Sequence, residues 1–311
     1  MKTLFEVSSP PYIRDDESVN KIMWSVVIAL FPAFIASLVY FGMNSIRLII
    51  VSVSVCIITE FFIRRLRRRD NTITDGSAII TGMLLAFCVP PTLPTWMIAV
   101  GAFCAIFLVK ELFGGLGMNI FNPALAARAI LLAAFPQHMT AWINPDGVSV
   151  ATPLAIVKEH IETVGPSYYD LFVGNVGGCV GETSAIAIII GGIFLIVRRI
   201  IRWEVPFTFI ATIFCFSYLI GRDPIYEILA GGVMLGAFFM ITDMVTTPVT
   251  LEGGVIFAFG CALLTMIIRK WGGLPEGVCY SILIMNAFTP LIDIYCKPRI
   301  LGTRKNRKKI K

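Results

Sequence analysis

A chain of 311 residues that is 57% hydrophobic and only 15% charged does not have the make-up of a soluble domain, which averages about 45–50% apolar and about 25% charged residues. With a mean hydropathy of +0.81 spread over successive apolar runs, it reads as an all-α polytopic membrane protein forming a single integral domain. The net charge of +6 is not a nucleic-acid footprint, because the basic residues flank apolar runs, where they set orientation.

The opening MKTLFEVSSPPYIRDDESVNK lacks the apolar stretch of a cleaved signal peptide. About ten spans follow, at 22–42, 46–63, 77–90, 94–111, 122–136, 183–198, 204–220, 226–242, 254–269 and 276–295. Segment 77–90 ends in Val89-Pro90-Pro91, and segment 122–136 opens with Asn122-Pro123. Both fall short of the roughly 20 residues a straight crossing needs, as broken or re-entrant helices lining a buried site do. Lys and Arg crowd alternate connections: Arg64 to Arg69, Lys110, Arg198-Arg199 with Arg202, and the basic tail 296–311. That bias predicts cytoplasmic N- and C-termini and an external loop over 137–182. The tail also carries the charge to meet anionic lipid.

KELFGGLGMNIFNPAL after the fourth span and RKWGGLPEGVCYSIL after the ninth share a Gly-Gly-Leu turn. Five spans per copy is an odd number, so the copies must face opposite ways. The expectation is two inverted repeats, at about 22–136 and 183–295. The eight cysteines show no CxxC spacing; Cys56, Cys88, Cys104, Cys215 and Cys261 lie in apolar runs and read as small buried hydrophobes, with no metal or iron–sulfur site made by this chain alone. Two histidines, His138 and His160, argue against haem between helices.

Several polar residues are harder to place. Thr152, between Ala151 and Pro153 in NPDGVSVATPLAI, offers a hydroxyl able to form a phosphoester, with Asp146 nearby to position it; it equally suits the N-cap of a short helix starting at Pro153. Asn119 and Asn122 present amides beside a helix N-terminus. Arg128 lies about two turns into the fifth span, a costly place for a charge; Asp243, a bound group or the cytoplasmic surface would each relieve it. Glu182, in GETS, complements the dipole of the sixth span or caps it with Thr183.

Beyond these features the chain resembles, nearly end to end, the family of the D subunits of Rnf ion-translocating ferredoxin:NAD oxidoreductase and the B subunits of sodium-translocating NADH:quinone reductase. The resemblance is carried by SSPPYIRDDESVNKIM, LLAFCVPPTLPTW, VKELFGGLGMNIFNPALAARA, DGVSVATPLA, VGETSAIAIIIGG, MLGAFFMITDMVTTPVT, GGLPEGVCYSILIMNAFTPLID and KPRILG. It implies a redox subunit that is inactive alone, working with membrane and peripheral flavin or iron–sulfur subunits in a bacterial or archaeal cytoplasmic membrane. It implies FMN joined to Thr152 by a phosphoester, added by a flavin transferase at a motif matched by Asp146, Ser149, Ala151 and Thr152. It further implies a second, non-covalent flavin, riboflavin or FMN, for which Asn119, Asn122, Arg128, Thr242 and Asp243 are the residues of choice. Val150 stands where the motif often has Gly, and Met244 where the family tends to have Pro. The rival expectation is an inverted-repeat transporter of a small solute with no pigment; a third is a scaffold for other subunits.

Overall fold

The computed structural model describes residues 18–69, 72–146, 152–159, 165–273 and 276–297. Helix α1 (Val19–Phe41) starts at Ser18, whose side chain accepts from the Lys21 N–H, and turns at Gly42 (φ +56°) directly into α2 (Met43–Leu66). After a single 3-10 turn, α3 (Ser77–Phe87) begins beside Asp75, which accepts from both the N–H and the hydroxyl of Ser77. It stops at Cys88 because Pro90 and Pro91 cannot continue it. Helix α4 (Thr95–Cys104) widens into a π-helical stretch, Ala105–Glu111. Helix α5 (Pro123–Ala134) is capped by Asn122, whose Oδ1 accepts from the N–H groups of Ala124 and Leu125.

The segment between the two apolar halves holds three short helices, α6 (Pro136–Met139), α7 (Pro153–Glu159) and α8 (Tyr168–Val173). The second half contains α9 (Ala185–Val197) and α10 (Glu204–Ile220). The segment expected as one span over 226–242 is broken: α11 (Pro224–Leu229) ends, Ala230 to Gly232 run non-helical, and α12 (Val233–Leu235) leads into a π-helical turn to Met240. Gly231 takes φ +69° at this break, a conformation that suits glycine. Helices α13 (Leu251–Trp271) and α14 (Val278–Tyr295) complete the chain.

Four helices, α1, α2, α13 and α14, are long and apolar enough to cross a membrane; α3, α5, α9 and α10 are apolar but shorter. The protein is a multi-pass helical membrane protein. Its outer faces carry bare apolar side chains, among them Val39, Phe62, Val197 and Leu219, as lipid-facing surfaces do. Small residues allow the closest helix contacts: a Cβ at Gly191 of α9 would lie 2.0 Å from the Ala29 carbonyl of α1, and one at Gly82 of α3 would lie 2.7 Å from the Val53 backbone of α2. Helix α5 packs on α14 across the centre.

Irregular backbone also enters the core, where its polar groups need partners. The N–H of Val180 donates to the Val89 carbonyl at 3.1 Å, and that of Gly181 to the Phe87 carbonyl at 3.0 Å. The frayed end of α3 is thus laced to the approach to α9. Gly181 is required there, since a Cβ would lie 2.2 Å from the Phe87 ring. Two sequence expectations need correcting. Cys104 is only half-buried and Cys215 is exposed, so they are not core hydrophobes. Arg64 and Lys110, read as orientation charges, are buried.

Candidate functional site

The loops at the N-terminal end of α5 and after α12 meet in one cleft. Asn119, Asn122, Thr242 and Asp243 all line it, with an empty volume of about 790 Å³ including the open mouth. The walls are mostly apolar, from Val26 of α1, Leu84 of α3, Leu195 of α9 and Phe238 and Phe239 beside α12. An apolar pocket of a few hundred Å³ with a handful of polar groups is what binds a flat organic cofactor. Part of the polar set is already engaged. Asn119 Nδ2 donates to the Phe121 carbonyl at 3.1 Å, the Thr242 hydroxyl donates to the Phe238 carbonyl at 2.6 Å, and Asp243 accepts from the Thr246 hydroxyl at 3.0 Å. With Asn122 Oδ1 committed to the helix cap, its amide nitrogen is the group left for a ligand.

Two residues that sequence reasoning passed over shape this cleft. Asn286 of α14 is fully buried; in the amide orientation that satisfies both neighbours it accepts from the Asn122 N–H at 3.1 Å and donates to the Thr246 carbonyl at 3.3 Å. It ties the two lining loops together. Lys110 also faces the cleft, with Nζ 2.8 Å from Glu60 Oε2 and 2.6 Å from the Ser77 hydroxyl. Sequence offered a weak signal for Lys110, a lone Lys-Glu pair ending a long apolar run, and none for Asn286.

Arg128 does not line the cleft. Its guanidinium is ion-paired with Glu276, at the start of α14, and reaches the Cys179 thiol at 3.7 Å; the expected pairing with Asp243 is absent. It lies six residues past the Asn122 cap, a rise of about 9 Å, and lines a separate pocket with Trp142, Glu276, Cys279 and Tyr280. Thr152 shares another pocket, of about 340 Å³ including its open mouth, with Cys179, Glu182 and Glu276. Thr152 is buried, and its Oγ1 accepts from the Ala155 N–H at 3.2 Å, so it does cap α7, with Pro153 as the first helical residue. Asp146 is exposed. Ser149 and Ala151 of the attachment motif, like Val150, lie outside the described residues.

Glu182 does not cap α9. That helix starts at Ser184 with no side-chain cap bond, while the Glu182 carboxylate turns inward over Gly232, where a Cβ would lie 2.8 Å from Oε1. The fold also gathers cysteines that the sequence scatters: Cys88, Cys179 and Cys279 are all buried within electrostatic reach of Arg128 and Glu182.

Two further ion networks are buried. At one end, Glu60 and Arg64 of α2 meet Lys110 and Glu111 of the α4 extension: Arg64 Nε is 3.0 Å from Glu111 Oε1 and 3.5 Å from Glu60 Oε1. In the second half, Arg222 after α10 and Arg269 of α13 hold Glu227 of α11 at 3.0 and 2.7 Å. Arg269 also donates to the carbonyls of Glu227 and Ala230, the ones the break in the eighth segment leaves free.

Broken helices, ion pairs buried within the bundle and an apolar cleft with few polar groups define a polytopic membrane protein with an interior site. More particularly, the chain belongs to the NQR2, RnfD, RnfE family, whose model matches residues 6–302. It is 49% identical to the D subunit of the Na(+)-translocating ferredoxin:NAD(+) oxidoreductase complex of Acetobacterium woodii, over 98% of each chain. It is 45% identical to the D subunit of the proton-translocating ferredoxin:NAD(+) oxidoreductase complex of Clostridium ljungdahlii, again over 98% of each. The D subunit of an ion-translocating oxidoreductase complex of Salmonella newport is 33% identical over 97% of this chain and 99% of its own.

Proposed function

We propose that this chain is the D-type membrane subunit of an ion-translocating ferredoxin:NAD⁺ oxidoreductase complex, relaying electrons inside the complex while Na⁺ or H⁺ crosses the membrane. The observation that carries the reading is the end-to-end match, at 45 and 49% identity, to subunits bearing that name. Neither name bears on the choice of coupling ion, since one relative is called proton-translocating and the other Na⁺-translocating. The other subunits of the complex are its partners, and a flavin transferase modifies it.

In this reading Thr152 carries FMN through a phosphoester, and the cleft at Asn119, Asn122, Thr242 and Asp243 holds a second flavin, riboflavin or FMN. Bound flavins supply the electron-transfer chemistry. The chain's own residues do the rest. The Thr152 hydroxyl sits at the start of α7, where backbone N–H groups favour a phosphate; because that hydroxyl is tucked in as a cap, flavin attachment requires the cap to open. Around the cleft, the Asn122 amide offers a donor to the electron-rich edge of a reduced ring, Lys110 stays paired with Glu60 in the wall, and the apolar walls exclude water.

The same reading has ten spans in two inverted repeats, with both termini cytoplasmic and the Thr152 segment external. Three observations support it. Each of the ten segments contains helix. The first helices of the two halves, α1 and α9, pack together, as do the last, α5 and α14. Each half also buries an ion network where its second and fourth helices end, Glu60–Arg64–Lys110–Glu111 and Arg222–Glu227–Arg269.

The test is a denaturing gel of membranes from a host containing the flavin transferase, viewed under ultraviolet light. The expected result is a fluorescent band of this chain that vanishes in Thr152→Ala, with a Thr152 peptide heavier by one FMN less water. A dark wild-type band overturns the flavin reading and returns the chain to the pigment-free transporter class. Intact electron flow in an assembled Thr152→Ala complex would leave the scaffold role.

A further inference from the structure

The pocket beneath Thr152 contains a buried carboxyl group to which the fold gives no ion-pair partner among the described residues. Glu182 is 5% exposed, and its Oε2 has no hydrogen-bond partner. Among the described residues no cation lies within ion-pair distance of it. One ligand atom each from Cys179, Glu182 and Glu276 lies within 4.8 Å of the others, so the unpartnered oxygen belongs to a group that already has the spacing of a coordination site. A buried carboxylate with one oxygen unpaired and no cation at contact distance is costly to hold. Here it is built in from three directions. The lacing of Val180 and Gly181 to the end of α3 fixes the loop that carries it; Gly232 leaves room for its head; and Arg128, the nearest guanidinium, is drawn off to Glu276.

We propose that the carboxylates of Glu182 and Glu276, with Cys179 beside them, form a binding site for one alkali cation of Na⁺ size, reached from the Thr152 side. The charge balance selects the valence. The groups facing Glu182 are Cys88 at the end of α3, Arg128 of α5, Cys179 of the same loop, and Glu276 before α14. With neutral thiols, Glu182 and Glu276 against Arg128 leave one negative charge. A single monovalent cation cancels it, whereas a divalent ion would leave a buried positive charge beside a guanidinium. The carboxylate oxygens are hard donors suited to an alkali ion. The Thr152 side is the access route because Thr152, Gly178 and Gly231 line the same cavity. The site deepens the proposed function, on which it rests for its role in ion movement, by naming residues at which the travelling ion pauses; the binding itself does not depend on a flavin.

The experiment uses membranes holding the whole complex and a hydrophobic carbodiimide, which reacts with buried carboxyl groups that no cation covers. Labelling of the Glu182 peptide is followed by mass spectrometry in NaCl, LiCl or KCl at constant ionic strength and pH. Na⁺, and less well Li⁺, should slow labelling about ten-fold at ten times the dissociation constant, and K⁺ should not. Glu276→Gln should keep the label but weaken Na⁺ protection at least ten-fold in concentration; it serves where Glu182→Gln fails to assemble. Labelling indifferent to Na⁺ overturns the proposal, as does tightly held zinc in metal analysis of the purified complex. The flavin band, read on the same samples, separates the two readings: Na⁺ protection with a dark band retains the site and discards the flavin, and a bright band without protection does the reverse.

Discussion

The Glu60 network and the Glu182 pocket are both buried clusters of charge, and they are built to opposite ends. Around Glu60, two carboxylates face two cations, and every member has at least one partner at 2.8–3.5 Å. Around Glu182, two carboxylates share one guanidinium, which is committed to Glu276. A closed network fixes the ends of helices that meet inside the bundle; an open one leaves a vacancy in charge beside a cavity. The first kind is structural and should be intolerant of losing any member. The second should be intolerant of nothing but the loss of its ligand.

Substitution can break that contrast. Lys110→Met or Arg269→Met takes from a buried carboxylate the shorter of its two ion pairs, leaving only Arg64 at 3.5 Å from Glu60 or Arg222 at 3.0 Å from Glu227, and should cost about 3 kcal/mol, read as a large fall in the melting temperature of the detergent-solubilised protein. Arg269→Met should be the worse of the two, because Arg269 also serves the carbonyls of Glu227 and Ala230; adding Glu227→Gln should recover part of the loss. Gly181→Ala tests the lacing beneath Glu182. Its new methyl would overlap the Phe87 ring at 2.2 Å, for a cost of about 1–3 kcal/mol in the same melting measurement, relieved in part by Phe87→Leu.

Smaller effects sharpen the comparison. Thr152→Ala removes the α7 cap and should cost about 1 kcal/mol, seen as faster amide exchange over 154–159; Thr152→Ser should restore the protection. With the opposite sign, Glu182→Gln removes a buried charge with no ion-pair partner and should raise stability in Na⁺-free buffer. A loss as large as that of Lys110→Met would mean that Glu182 has a partner among its neighbours and that the two clusters are alike.

How much of this is legible in the sequence follows from the kind of signal involved. Asn119, Asn122, Thr242 and Asp243 stand out as separate residues at broken helix ends, and they do line one cleft. Broken ends are visible because Pro, Gly and Asn mark them locally. The cap at Thr152 is legible for the same reason. Arg128 is recognisable as costly, but its partner cannot be named from the sequence, because Glu276 is 148 positions away. Glu182 reads wrongly as a helix cap because in sequence its neighbours are Thr183 and Ser184, whereas in space they are Gly232, Cys179 and Glu276.

The sequence by itself determined that this is a many-helix membrane protein, where its helices break, and, through its full-length motifs, to which family it belongs. These rest on composition, local backbone chemistry and order along the chain, all one-dimensional properties. Only the tertiary structure decided which charges are satisfied. Burial and pairing are properties of what lies opposite a side chain, and in this fold the groups opposite Arg128 and Glu182 come from distant parts of the chain.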